Sequence, residues 1–83
     1  RLGCVYVEPY ELTDPVTGIL RWATMDERYH ALLEVMTVAG PRVLDNRQPH
    51  VCTLEDLERI GYQPERIQWQ GGSRRWKTWE WRA

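Results

Sequence analysis

The chain has no phenylalanine, one serine (Ser73) and one lysine (Lys77) among its 83 residues. A lone serine, set between Gly72 and Arg74, leaves no serine triad to assemble. Cysteine is scarce too: Cys4 and Cys52 are the only two. Two cysteines do not make a disulfide framework, and they are read as small buried thiols of a reduced protein. No CxxC or HxxxH spacing fixes two metal ligands locally, which disfavours a zinc site built from Cys4, Cys52, His30 and His50. No glycine-rich loop joins a strand to a helix; Gly71-Gly72-Ser73 is turn material, so no phosphate cradle is expected. No apolar run approaches the ~20 residues that span a bilayer, and neither a signal-peptide pattern nor a basic amphipathic helix is expected. A cytoplasmic protein without a membrane partner, a cofactor or a metal is therefore expected.

A charge of one sign is also lacking. Eleven basic residues face twelve acidic ones, for a net charge of −1. General nucleic-acid binders carry a clear basic excess. Ten of the eleven basic residues are arginine, a bias that either base composition or a need for planar, bidentate contacts produces.

What the chain does have is large aromatics: five Trp and four Tyr. These bury much area and keep a polar tip. Cys4-Val5-Tyr6-Val7 is β-prone and apolar on both faces, as a central strand is, and Pro9 ends regular pairing. Asp14-Pro15-Val16-Thr17-Gly18 is a turn, and Ile19–Ala23 a second strand; together these predict an antiparallel hairpin. Thr24-Met25-Asp26-Glu27 fits a capping box. With Met25, Tyr29, Leu32, Leu33 and Met36 at helical spacing and Gly40-Pro41 as a stop, it predicts a long helix over 25–39. Asp26, His30 and Glu34 then form its solvated polar stripe.

Val43-Leu44 and Val51-Cys52 are short extended pieces around the polar turn Asp45–Pro49. A short helix follows, capped by Thr53, with Glu55 and Asp56 in its first turn. Gly61 at C′ sets up a Schellman contact between Leu57 and Tyr62. The tail from Arg66 to Arg82 is a hairpin closed by Gly71-Gly72-Ser73. The expected fold is α+β, in the order β-β-α-(β)-α-β-β. It is a single small domain with a mostly antiparallel sheet and one long and one short helix packed on one face.

The stretch Thr53–Trp69, a TLEDLERIGY helix, a turn and a short second segment, followed by a basic hairpin as wing, resembles the start of a small winged helix-turn-helix domain. Pro64 leaves little room for a recognition helix, and no functional residue carries over.

The distinctive surface is the Trp/Arg hairpin. Period-two alternation gives Trp79 and Trp81 to the core, against Met25, Leu32 and Met36, and leaves Trp76 with Arg74 and Arg75 outside. The candidate contact residues are Arg74, Arg75, Trp76 and Lys77, beside Gly71 and Gly72. Trp and Arg dominate protein–protein hot spots. The expected function is therefore a non-catalytic protein-interaction module. It would act like the small accessory or inhibitor proteins of bacteria and phages, by occupying the surface of a larger protein partner. A homodimer is left open. The alternative is nucleic-acid binding, with Arg on phosphates and Trp on bases. Were the chain an enzyme, His30 and Glu34 are the pair to mutate first.

Overall fold

In the computed structural model, which describes residues 1–69 and 74–81, the strand Leu2–Tyr6 (β1) lies at the centre of the fold. The elements that follow are β2 (Glu11–Thr13), β3 (Leu20–Trp22), α1 (Met25–Arg28), β4 (Tyr29–Thr37) and β5 (Gly40–Leu44). The chain continues with α2 (Leu54–Arg59), β6 (Gln63–Gln68) and β7 (Trp76–Thr78). Five strands form one sheet in the order β5-β4-β1-β6-β7, with every neighbouring pair antiparallel. β2 and β3 form a separate two-stranded hairpin.

The fold is thus α+β with a mostly antiparallel sheet, but the long helix is not there. The capping box forms as the sequence dictates: Thr24 Oγ1 accepts from the Glu27 N–H, and the Glu27 carboxylate accepts from the Thr24 N–H. One turn later the chain leaves the helix, and Tyr29 is already extended. Two causes combine. Tyr29, Val35, Thr37 and Val38 are aromatic or β-branched and gain little from a helix. In addition, 29–37 has a ladder on each side, with β1 along Tyr29–Leu33 and β5 along Leu33–Thr37. Gly40 and Pro41 do not stop a helix; they begin the returning strand, and Gly40 takes φ 108°, which L-residues avoid.

The first hairpin also has a different partner. The Asp14–Gly18 turn is present, with the Gly18 N–H on the Asp14 carbonyl and the Asp14 side chain accepting from the Val16 and Thr17 N–H groups. It joins β2 to β3, however, and leaves β1 to pair with β4 and β6. The β1–β6 register shifts between Cys4 and Val5, where Pro64 stands opposite Val5 and has no N–H to donate.

Successive strand residues face opposite sides. On one side Val5, Val7, Leu32, Val43 and Ile67 form the core with Leu57 of α2, Cys52, Tyr62 and Trp79. Cys52 bridges back to Val43, as an extended piece there requires. Both cysteines are buried and free. On the other side Leu44, Leu33 and Leu2 stand in one row across three strands and remain about 40% exposed.

The short helix follows its sequence signals closely. Thr53 and Asp56 make a reciprocal cap. Gly61 has φ 93°, the Gly61 N–H reaches the Glu58 carbonyl, and the Tyr62 N–H reaches the Leu57 carbonyl. That is the Schellman pattern, with Leu57 and Tyr62 both buried. The segment after it is the strand β6, so no recognition helix follows and the winged-helix likeness ends there.

Trp79 is in the core and Trp81 packs edge-on against it at 5.5 Å. Of the expected core partners only Leu32 is buried; Met25 and Met36, displaced by the loss of the long helix, are 48% and 63% exposed. Gly3 is what lets Trp79 in. A Cβ at Gly3 would lie 2.5 Å from Trp79 Cζ3, well inside contact distance. Gly3→Ala is expected to lower unfolding free energy by about 1–3 kcal/mol, the usual cost of overpacking. Urea denaturation followed by Trp fluorescence measures it. The penalty shrinks when Trp79→Leu is already present, because the clashing ring is gone. A full penalty in that background contradicts the assignment.

Candidate functional site

The period-two pattern of β4 puts His30, Leu32 and Glu34 on the core side of the sheet. The polar stripe expected on a solvated helix is therefore directed inward. Glu34 is buried, with Arg1 Nε donating to its Oε1 at 2.8 Å. His30 has a different acidic partner. Val43 of β5 is in the core, and Asp45, two residues on, faces the same way as the strand ends.

Asp45 opens the turn toward Gln48. Its Oδ1 accepts from the Arg47 N–H at 3.0 Å, an Asx turn, and its carbonyl accepts from the Gln48 N–H. The same Oδ1 lies 2.6 Å from His30 Nε2. The Schellman turn after α2 delivers Tyr62, whose hydroxyl donates to Asp45 Oδ2 at 2.9 Å. Asp45's side chain is completely shielded from water, while His30 keeps 18% of its side chain exposed. The Tyr62 ring stands edge-on to the His30 ring at 6.2 Å, and the Arg47 guanidinium lies 5.8 Å from the Tyr62 ring centre.

The electrostatics follow from this packing. Burial works against ionisation of Asp45, but the Arg47 N–H, His30 and Tyr62 outweigh it and hold the carboxyl below its ordinary value of 3.8. Burial, and next the Asp45 charge, push the Tyr62 hydroxyl above its ordinary 10.0 against the opposing Gln48 and Arg47. Tyr62 therefore stays a donor. An ionised carboxylate only accepts, so the short contact to His30 requires the ring proton on Nε2. Nδ1 is then the ring nitrogen left over, and among the described residues it has no hydrogen-bond partner. His30 also lines a cleft of about 340 Å³ together with Val7, Tyr10, Glu27, Arg28 and Arg47. A histidine backed by a buried carboxylate and open on its other nitrogen has the geometry of an oriented general base.

The expected contact patch is not one surface. Arg74 and Arg75 are exposed, but Trp76 pairs with Gln68 and Lys77 with Ile67, so neighbouring side chains leave the strand on opposite faces. Arg66 stacks over the Trp76 ring at 4.5 Å, and Lys77 lies 5.1 Å from the Trp69 ring centre. Gly71 and Gly72 fall outside the described residues. Cys52 and His50 do not form a nucleophile–base pair. The Cys52 thiol points to the His50 carbonyl at 3.4 Å, and burial, with Asp56 and Asp45 nearby, pushes the thiol's pKa up. Among the described residues no three His, Cys, Asp or Glu side chains gather as a metal site would require. Among them, too, no helix is long and apolar enough to cross a membrane.

Asp45 and Tyr62 are the site residues that the sequence reading passed over. The signals were present: Asp45 continues the alternation of Val43, and the Gly61 stop fixed where Tyr62 would fall. The chain matches no known family, no curated protein and no solved structure.

Removing the Tyr62 hydroxyl tests the network. Tyr62→Phe is expected to cost about 1–2 kcal/mol, the loss of one hydrogen bond to a charged group. The pH effect has a definite sign. Asp45 is depressed in the folded state, so its contribution is full above about pH 4 and is lost as pH falls through the folded value. With one donor gone the folded value moves back toward 3.8, so the folded and unfolded values differ less and the acid-dependent loss of stability becomes smaller. Urea midpoints from pH 6 downward read both effects; an unchanged acid limb contradicts the assignment.

Proposed function

We propose that this chain carries the acid–base half of a hydrolytic or acyl-transfer site. His30 is the general base and then the general acid. Asp45 orients the ring and stabilises the imidazolium formed when Nδ1 takes a proton. Tyr62 is a positioning residue that holds Asp45. The observation that carries this reading is the 2.6 Å contact from His30 Nε2 to a fully shielded Asp45 carboxylate, itself held by Tyr62 and the Arg47 N–H. The arrangement follows the logic of a base positioned by a third group, which recurs on unrelated folds.

Two features support a catalytic role over a purely structural ion pair. The His30 side chain is 18% exposed and its Nδ1 has no partner among the described residues, so that nitrogen is open to a ligand. The ring also borders a cleft large enough for a small acyl group. The nucleophile that Nδ1 would activate is a water or a side chain brought to the cleft. Cys52, with its raised thiol pKa, is a poor candidate, and Cys4 lies on the other face of the sheet, beside Ala31.

A non-catalytic interaction module, expected from composition, has less support in the geometry. Its Trp76 and Lys77 are stacked within their own hairpin and face apart.

Hydrolysis of p-nitrophenyl acetate tests the proposal, with exposed His50 as an internal control. His30→Gln should lower the rate by about a hundredfold, the lower end of what a positioned general base supplies. Asp45→Asn should lower it by less while altering the pH–rate profile. His50→Gln should leave it unchanged. Equal rates for the His30 and His50 variants would sink the reading.

A further inference from the structure

We infer that the cleft beside His30 takes a substrate bearing an anionic group, a carboxylate or a phosphate, close to the bond on which His30 acts. This deepens the general-base reading and rests on it. Two guanidinium groups line the cleft with His30, from Arg28 and Arg47. Arg28 ends α1 and is half-buried. Its Nε donates to the Val7 carbonyl at 2.9 Å and its Nη1 to Met25 Sδ at 3.2 Å. Neither partner carries a charge, and among the described residues no carboxylate lies within ion-pair distance of Arg28. A cation taken partly out of water normally gains an anion in return.

The carboxylates nearby are otherwise engaged. Glu27 lines the cleft, yet both its oxygens accept from Arg21, at 2.7 and 3.1 Å, and one also accepts from the Thr24 N–H. Those donors, Arg21 first, hold Glu27 ionised down to a pKa of about 2. Glu8 reaches Arg47, but only at 3.6 Å with both side chains 43% exposed. The cleft therefore presents one uncompensated guanidinium and a second that is loosely paired. Arg28 is also fixed in place by its Nε bond to the Val7 carbonyl, just past the end of β1, so it loses little freedom on meeting a ligand. A guanidinium fork matches the two oxygens of a carboxylate or phosphate. An anion held there sets the rest of the substrate against His30.

The test needs no turnover. Isotope-labelled protein is titrated separately with succinate, inorganic phosphate and tetramethylammonium chloride while the Arg28 Nε–H and His30 ring signals are followed. Succinate, phosphate or both should shift the two residues together and saturably, and the tighter of the pair identifies the anion. Tetramethylammonium chloride should not shift them. Arg28→Gln should weaken binding roughly tenfold, the loss of one charge-assisted contact. Arg47→Gln should weaken it less. If Arg28→Gln fails to fold, Arg28→Lys serves instead, because it keeps the charge and loses the fork; it too should bind more weakly. Shifts that merely track ionic strength, or wild-type affinity in the folded Arg28 variant, overturn the inference. Saturable anion binding without His30-dependent hydrolysis overturns the general-base reading and leaves only an anion-binding cleft. The converse result separates them the other way.

Discussion

A carboxylate with no access to water has to be surrounded by donors, and Asp45 is that carboxylate. Its three donors come from three places in the chain: His30 on β4, the Arg47 amide in its own turn, and Tyr62 after α2. Satisfying one charge therefore fixes how the sheet, the 45–48 turn and the short helix meet. The Schellman turn at Gly61 matters here because it directs Tyr62 inward. The bridge from Cys52 to Val43 matters because it brings the chain back across the strand that leads into Asp45. Polar networks of this kind are favourable only when every member is paired. In this one the unpaired position is Nδ1 of His30, at the edge of a cleft.

The rest of the core is organised around β1. A central strand of a small sheet has neighbours on both edges and packing on its core face, so it tolerates little. Gly3 gives up a side chain so that Trp79 can sit on the strand. Val5 and Val7 fill the core on the same side. The opposite face carries Cys4, Tyr6 and Tyr29, with Arg66 donating to the Tyr29 hydroxyl at 2.8 Å. Burial, aided by Cys4 and opposed by Arg66, raises the Tyr29 hydroxyl to about 12, so it too remains protonated.

Local signals in the sequence were reliable where the structure is local. The capping box at Thr24, the Thr53 cap, the Asp14–Gly18 turn, the Gly61 stop and the strand pairing of the C-terminal hairpin follow from a few consecutive residues, and all are present. What failed was the inference from a helix start to a helix length. Met25, Tyr29, Leu32, Leu33 and Met36 fit a helical period, but the same stretch alternates as a strand from Tyr29 onward. The choice between the two is made by β1 and β5, which are far along the chain and invisible to a local pattern. The error then propagated. On a helix, His30 and Glu34 share a solvated face; on a strand they share the core face, where Glu34 becomes a buried partner of Arg1 and His30 a half-buried partner of Asp45. The site was illegible for the same reason. His30 and Asp45 are separated by a hairpin, and no spacing rule joins them. The candidate residues of the C-terminal hairpin mix both parities of one strand, so Trp76 and Lys77 leave it on opposite sides.

The central contact is the His30 Nε2–H donating to the shielded Asp45 carboxylate, with Nδ1 left without a hydrogen-bond partner among the described residues. Nitrogen-15 NMR of the imidazole rings near neutral pH reads this directly. A proton held on Nε2 of His30 is predicted, with a strongly downfield signal between His30 and Asp45 that disappears in Asp45→Asn, while His50 shows no such signal. A His30 ring without a proton on Nε2, or one whose Nε2 signal is averaged as in His50, would contradict it.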